Sequence, residues 1–255
     1  MKTKLLLPTL SLLISCFITF TAFSQTHPVI GGYNVYYGSL HNHSRVSDGL
    51  GTPAEAYAYA RNTAKLDFFG LSDHSYLINS SEWTETKNAA NLFNLDGAFA
   101  AFHGFEWTTV LSYGHVTVIN TTDYLTTGTF TQLVSWVNAR NCIAFFNHPG
   151  WESTAFQEFN HFTGTPSNKF VGMELWNDHD GFGKYYYNDG YYANDGGKGY
   201  FDEALIRKWQ PGAAGGDDNH TATWGTATEY RVGVLANSLN RASILEAFNA
   251  RRFFA

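Results

Sequence analysis

Apolar and polar positions alternate along this chain in short blocks: a brief apolar run, then a longer stretch with helical spacing, which is the rhythm of βα units. Strands are predicted at 34–40, 66–72, 98–102, 116–119, 142–146, 171–176, 213–215 and 229–235. Thr52-Pro53-Ala54-Glu55 joins an N-cap, a proline at the first helical position and a glutamate that closes a capping box, so a helix is predicted from there to Lys65. Further helices are predicted at 82–93, 130–139, 201–209 and 243–251. The stretch from Asn177 to Tyr200 breaks the rhythm. It holds Asp, Asn, Gly and six tyrosines without helical or strand period, and reads as a long loop. The sequence closes on Phe253-Phe254-Ala255, an apolar triplet that reads as a strand cut short, so the natural chain is expected to continue.

The first residues are set apart from this pattern. Lys2 and Lys4 precede an apolar run to Phe20, and Ala22-Phe23-Ser24 fits a small-x-small cleavage site, so residues 1–24 read as an export signal. Leu13-Ile14-Ser15-Cys16 also resembles a lipoprotein processing box, the alternative that would leave Cys16 lipidated. The run is short and broken by Pro8, which argues against a transmembrane anchor. The expected product is a secreted or periplasmic protein with residues 25–255 as a single domain. Its only cysteine is then Cys142, so no internal disulfide can form.

Composition narrows the function classes. The 255 residues carry a net charge of −6 without any Lys/Arg run, which excludes nucleic-acid binding by a basic face. Only 15% of residues are charged while 17% are aromatic, and there are ten histidines. Histidine and acidic side chains recur directly after the apolar runs: His41-Asn42-His43 with Asp48, Asp73-His74, Glu106, Asn147-His148 and Asp217-Asp218-Asn219-His220. In a parallel barrel the ends of the strands converge on one face, so such residues can meet although distant in sequence. His41 and His43, two apart on extended backbone, point to one side and can share a metal. Taken singly, Asp73-His74, His148-Pro149 and Asp217-Asp218 have an ordinary explanation in turn chemistry and His41-His43 as a chance pair, whereas Glu106 is more unusual because an unpaired carboxylate is costly to bury. Their joint recurrence has no such ordinary explanation. His115 stands apart, because it precedes its strand instead of following it.

The motifs Gly38-Ser39-Leu40-His41-Asn42-His43, Ser47-Asp48-Gly49, Leu71-Ser72-Asp73-His74, Gly104-Phe105-Glu106, Gly114-His115, His148-Pro149 and Asp218-Asn219-His220 resemble, in order, those of the polymerase and histidinol phosphatase (PHP) superfamily. Glu174-Leu175-Trp176-Asn177 and Gly216-Asp217-Asp218 make the chain look most like the branch containing carbaryl-ester hydrolases. The resemblance implies an α/β fold, a distorted (β/α)7 TIM-like barrel, with up to three divalent metal ions. It assigns His41, His43, Glu106 and Asp218 to one ion, a bridging Glu106 with His115 and His148 to a second, and Asp48, His74 and His220 to a third. Mixed imidazole and carboxylate ligation suits zinc, iron or manganese.

Three divalent ions against three carboxylates would leave the pocket positive, so an anion is expected there. The resemblance thus implies a phosphoesterase acting on a small-molecule phosphate ester through a metal-bridging hydroxide, with Glu106 and Asp218 serving catalysis as well as binding. Asp73 or a metal-bound water are the two options for the leaving-group proton. Arg45 and Lys184 are candidate phosphate contacts, although Lys184 also reads as a solvated loop residue. Two alternatives stay open: a carboxylic or carbamate ester or amide hydrolase on the same metals, and a non-catalytic glycan-binding module. The loop tyrosines fit either a substrate wall or simple packing. Asp178-His179-Asp180-Gly181 reads as turn chemistry, and His27, His103 and His161 as ordinary histidines.

Overall fold

The computed structural model describes residues 26–108, 114–149, 165–177 and 200–255. The export segment, Lys184, His161, Asp178-His179-Asp180-Gly181 and all loop tyrosines except Tyr200 lie outside these. Among the described residues, no helix is long and apolar enough to cross a membrane.

Strands β1 (Val29–Ile30) and β2 (Tyr33–Ser39) pair antiparallel at the start of the described chain. Around β2 a single sheet curls nearly into a barrel. On one side β3 (Phe68–Leu71) and β4 (Ala100–Thr108) follow in parallel. Then β5 (His115–Ile119) runs antiparallel to both β4 and β6 (Ile143–Phe146). Two parallel neighbours, β7 (Phe170–Asn177) and β8 (Gly212–Gly216), complete that side. On the other side of β2 lie β9 (Val232–Ala236) and β10 (Phe253–Phe254), both antiparallel to their neighbours. The two free edges approach where Gly212 faces Phe253, since a Cβ there would sit 2.6 Å from the ring. The architecture is therefore the expected α/β, distorted TIM-like barrel. Its distortion lies in β5 and β9, which reverse direction where strict βα repetition would make every strand parallel.

Local chemistry explains most element boundaries. The helix α1 (Pro53–Asn62) has the capping box of Thr52 and Glu55, and ends short of Lys65, whose backbone is left-handed. Helix α2 (Ser80–Phe93) begins two residues earlier than the pattern predicts because Asn79 caps it, accepting from the Ser81 and Glu82 amides. Helix α3 (Phe130–Asn138) follows the prediction. Helix α4 (Tyr200–Ile206) is shorter than expected, and α5 (Arg241–Asn249) starts earlier, behind its Asn240 cap. The largest departure is β4, predicted to stop at Phe102 but continuing to Thr108. Glu106 thus lies inside a strand.

Alternation places the site. Along β4, Ala100 and Phe102 join the cluster inside the barrel, while Phe105 and Trp107 pack outward under α3. By the same period of two, Gly104 and Glu106 face inward. On β5, Val116 and Val118 pack outward and Ile119 inward, which turns His115 and Thr117 to the interior. Helix α5 sends Ile244, Ala247 and Phe248 into the inner cluster and packs beside β4, β6, β7 and β9. It therefore plugs the end where the parallel strands begin. Withdrawing Ile244 and Phe248 from water is worth about 1.5–3 kcal/mol each. The opposite end is left for polar residues.

Candidate metal centre

The nine side chains singled out by sequence meet at that open end. His41 and His43 follow β2, His74 follows β3, Glu106 lies in β4, His148 follows β6, and Asp218 and His220 follow β8. His115 opens β5. Because β5 is reversed, its first residue stands at the same end as the last residues of its neighbours, with Thr108 opposite His115. This removes the exception that a uniformly parallel barrel would make of it.

At the centre, His41 Nε2 lies 3.1 Å from Glu106 Oε1, 3.2 Å from Asp218 Oδ1 and 3.3 Å from His43 Nε2. His43 Nε2 is 3.1 Å from the same Asp218 oxygen. His115 Nδ1 and His148 Nε2 lie 3.1 Å and 3.5 Å from Glu106 Oε1. Nearer the surface, Asp48 is 3.4 Å from both His74 and His220. The groups adjoin: His74 Nδ1 is 2.6 Å from Glu106 Oε2, and His43 Nδ1 is 3.7 Å from Asp48. Proximity also collects His41, His148 and Asp218 together, and His43 with Asp48, His74 and His220, so the clusters cut across the three expected sets.

These spacings fit divalent cations. Donors about 2.1 Å from a common ion stand roughly 3.0–3.4 Å from one another, the range of the central contacts. The electrostatics divide the donors, lowering some imidazoles and raising others. Burial opposes ionisation of Glu106 and Asp218, but surrounding imidazoles hold both carboxyls well below their ordinary range. Burial and the neighbouring His74 and His220 lower His43 to about 3, and burial lowers His115 to about 4, so these rings are neutral and keep a lone pair. Burial opposes protonation of His74, yet Glu106 and Asp48 raise it to about 10.

The backbone is shaped to the site. His148 and Asp218 adopt positive φ of 25° and 44°, conformations that cost non-glycine residues energy. Both are anchored: the His148 amide donates to Glu174 Oε2 at 2.9 Å and the Asp218 amide to the His41 carbonyl at 3.0 Å.

Two further side chains belong to the centre without having been assigned a role from sequence. Glu174, buried in β7, takes up His41 Nδ1 at 2.9 Å and accepts from Asn177 at 2.9 Å. Asn147, fully buried, donates to Glu106 Oε1 at 2.6 Å and to Thr117 Oγ1 at 3.0 Å. The signal for Glu174 was a lone carboxylate inside the apolar strand Phe-Val-Gly-Met-Glu-Leu-Trp-Asn. It corrects the charge count, since a further acidic side chain beside Asp48, Glu106 and Asp218 brings the pocket closer to neutrality than those three would.

Two predicted residues are placed elsewhere. Asp73 turns its oxygens to the Ser44 amide (2.7 Å), the Ser44 hydroxyl (2.9 Å) and the Ser47 hydroxyl (2.8 Å). It braces the turn carrying His43 and Asp48. Burial raises its carboxyl against these hydrogen bonds. Arg45 is exposed and paired with Glu85 at 2.6 Å.

Comparison with solved structures places this fold. A two-domain protein from Bacteroides vulgatus ATCC 8482, containing a predicted PHP-like metal-dependent phosphoesterase, superposes with a TM-score of 0.66 at 19% identity, covering 89% of this chain and 66% of that one. The chain thus spans just under two thirds of that protein. A candidate metal-dependent phosphoesterase from Bifidobacterium adolescentis ATCC 15703 gives 0.46 at 12% identity, covering 84% and 96% of the two chains. Endonuclease Q, bound to a 27-mer duplex with an abasic lesion, gives 0.46 at 12% identity over 85% and 57%. No protein-family model and no curated protein matches the chain. The barrel, with β5 and β9 reversed, shares its overall fold with that two-domain protein from Bacteroides vulgatus.

Proposed function

We propose that the chain is a metal-dependent hydrolase of phosphate esters, formed by one domain over 25–255 and exported by a signal at 1–24. The observation that carries this reading is the convergence, from six separate segments, of six imidazoles and three carboxylates at metal-ligand spacing. His41, His43, Asp48, His74, Glu106, His115, His148, Asp218 and His220 are the ligands, for up to three ions. Divalent ions held by these residues would acidify a water and offset the charge of a transferring phosphoryl group.

The chain's own residues supply the preorganisation. Glu174 accepts from His41 Nδ1 and thereby turns Nε2 toward the centre. Asn147 holds the Glu106 carboxylate in one rotamer by donating to it. Asp73 keeps the Ser44–Ser47 turn in place, and with it His43. Burial of Glu106, His115 and Asp218 excludes bulk water from the inner part, where each interaction is stronger than in solvent.

Elemental analysis of the purified protein, with a metal-supplemented panel of aryl phosphates run beside aryl carboxylate and carbamate esters, tests the reading. Bound zinc, iron or manganese with phosphate-ester hydrolysis lost in Glu106→Gln is expected. Turnover restricted to carboxylate or carbamate esters, the preference of the carbaryl-ester branch, or absence of metal, overturns it.

A further inference from the structure

The metal centre is not equally reachable on all sides. Glu106, His41, His115, His148 and Asp218 are all buried, whereas Asp48 exposes 45% of its side chain and His74 and His220 are partly open. Among the nine candidate donors, then, Asp48, His74 and His220 are the ones most open to solvent. The corner they form has an apolar shoulder on each side. Tyr76 is 46% exposed, its ring centroid 5.7 Å from that of His74 with the planes inclined by 35°. Leu50 is 60% exposed and its amide donates to the His220 carbonyl at 2.8 Å, which fixes it beside the opposite histidine. Tyr76 sits in a tight turn closed by the Leu77 amide donating to the His74 carbonyl at 3.0 Å, so its backbone moves with the ligand histidine.

Binding sites combine a few convergent polar groups with adjoining apolar and aromatic surface, and the exposed Tyr76 ring adjoins the donor cluster in that way. The arrangement has two chemistries side by side. Asp48, His74 and His220 suit the phosphoryl end. The ring of Tyr76, one ring-width away, offers a flat apolar surface to whatever the phosphoryl group is esterified to.

We propose that Tyr76 is a specificity-determining residue of this site, receiving on its exposed face a planar aromatic group, aryl or nucleobase, carried on the ester side of the substrate. This rests on the phosphoesterase reading above. A saturated alkyl group would find no stacking partner there, while an aromatic one gains about three- to tenfold in affinity from ring contact.

The test is calorimetric binding to metal-loaded protein of equal metal content, in the wild type, Tyr76→Phe and Tyr76→Ala. The probes are methylphosphonate, phenylphosphonate and the phosphonate analogue of AMP. Expected is a three- to tenfold preference for at least one aromatic phosphonate over methylphosphonate in the wild type. It should be retained in Tyr76→Phe and abolished in Tyr76→Ala; whichever aromatic probe carries it distinguishes aryl from nucleobase. A preference that survives Tyr76→Ala, or no preference in the wild type while methylphosphonate still binds, overturns the inference and leaves the phosphoesterase reading standing. Failure of all three phosphonates to bind overturns both.

Discussion

Glu174 grips His41 from behind: its Oε1 lies 2.9 Å from Nδ1 of the ring whose Nε2 faces Glu106 and Asp218 at 3.1 Å and 3.2 Å. A carboxylate can only accept, so the proton between them belongs to Nδ1, and Nε2 is left to face the centre. Glu174→Gln keeps the shape but can present its amide nitrogen to that proton. Metal affinity is expected to fall about 10–100-fold, as for other partners of ligand histidines. Competition with a chromophoric chelator measures it, and unchanged affinity would remove Glu174 from the centre.

Gly216 and Gly104 separate site from scaffold. A Cβ at Gly216 would overlap the Glu174 carboxylate, whose positions are already taken by His41, His148 and Asn177. Gly216→Ala should therefore weaken metal binding much as Glu174→Gln does. A Cβ at Gly104 would overlap the Val118 carbonyl of the neighbouring strand, and backbone cannot swing aside. Gly104→Ala should cost about 1–3 kcal/mol or more in thermal or urea unfolding, with or without metal. Equal loss of stability in the two variants contradicts the distinction.

His103 predicts a pH dependence away from the donor cluster. Burial lowers it to about 4 even though its ring contacts the Thr121 carbonyl at 2.9 Å. The unfolded chain, with a pKa near 6.5, binds the proton more readily than the folded one. The stability owed to a neutral His103 is therefore complete above about pH 6.5 and is lost as pH falls toward 4, by at most about 3 kcal/mol. His103→Gln keeps a donor for Thr121 and cannot titrate. In chelated samples its midpoint should fall less steeply between pH 6.5 and 4 than that of the wild type; parallel curves would show that His103 is not responsible.

Thr52→Ala removes half of the capping box with Glu55. The expected loss is about 1 kcal/mol, read by urea unfolding, with metal affinity unaltered because neither Thr52 nor Glu55 reaches the donor cluster.

Much of this was legible in the chain itself. Strand and helix positions follow from runs and caps that neighbours in sequence decide, as with Thr52 and Glu55. Eight of the nine candidate donors stand out because histidine and acid recur after apolar runs, while His115 is singled out by the family resemblance. The extent of β4 was not legible, because Gly104 and Glu106 interrupt the hydrophobic signal. Both do so for a tertiary reason: one gives way to the Val118 carbonyl and the other faces the centre.

The amino-acid sequence by itself determined which residues could serve as metal donors and the α/β alternation that carries them, since both depend on residue type and on local backbone preference. The tertiary structure decided the direction of β5, which brings His115 to the mouth, and the partners of Asp73, which turn it to Ser44 and Ser47. It also decided the place of Glu174 and Asn147 behind the donors and of Tyr76 beside them. Strand direction and these contacts arise only when segments far apart in the chain compete for the same interior space, and no local pattern records the outcome of that competition.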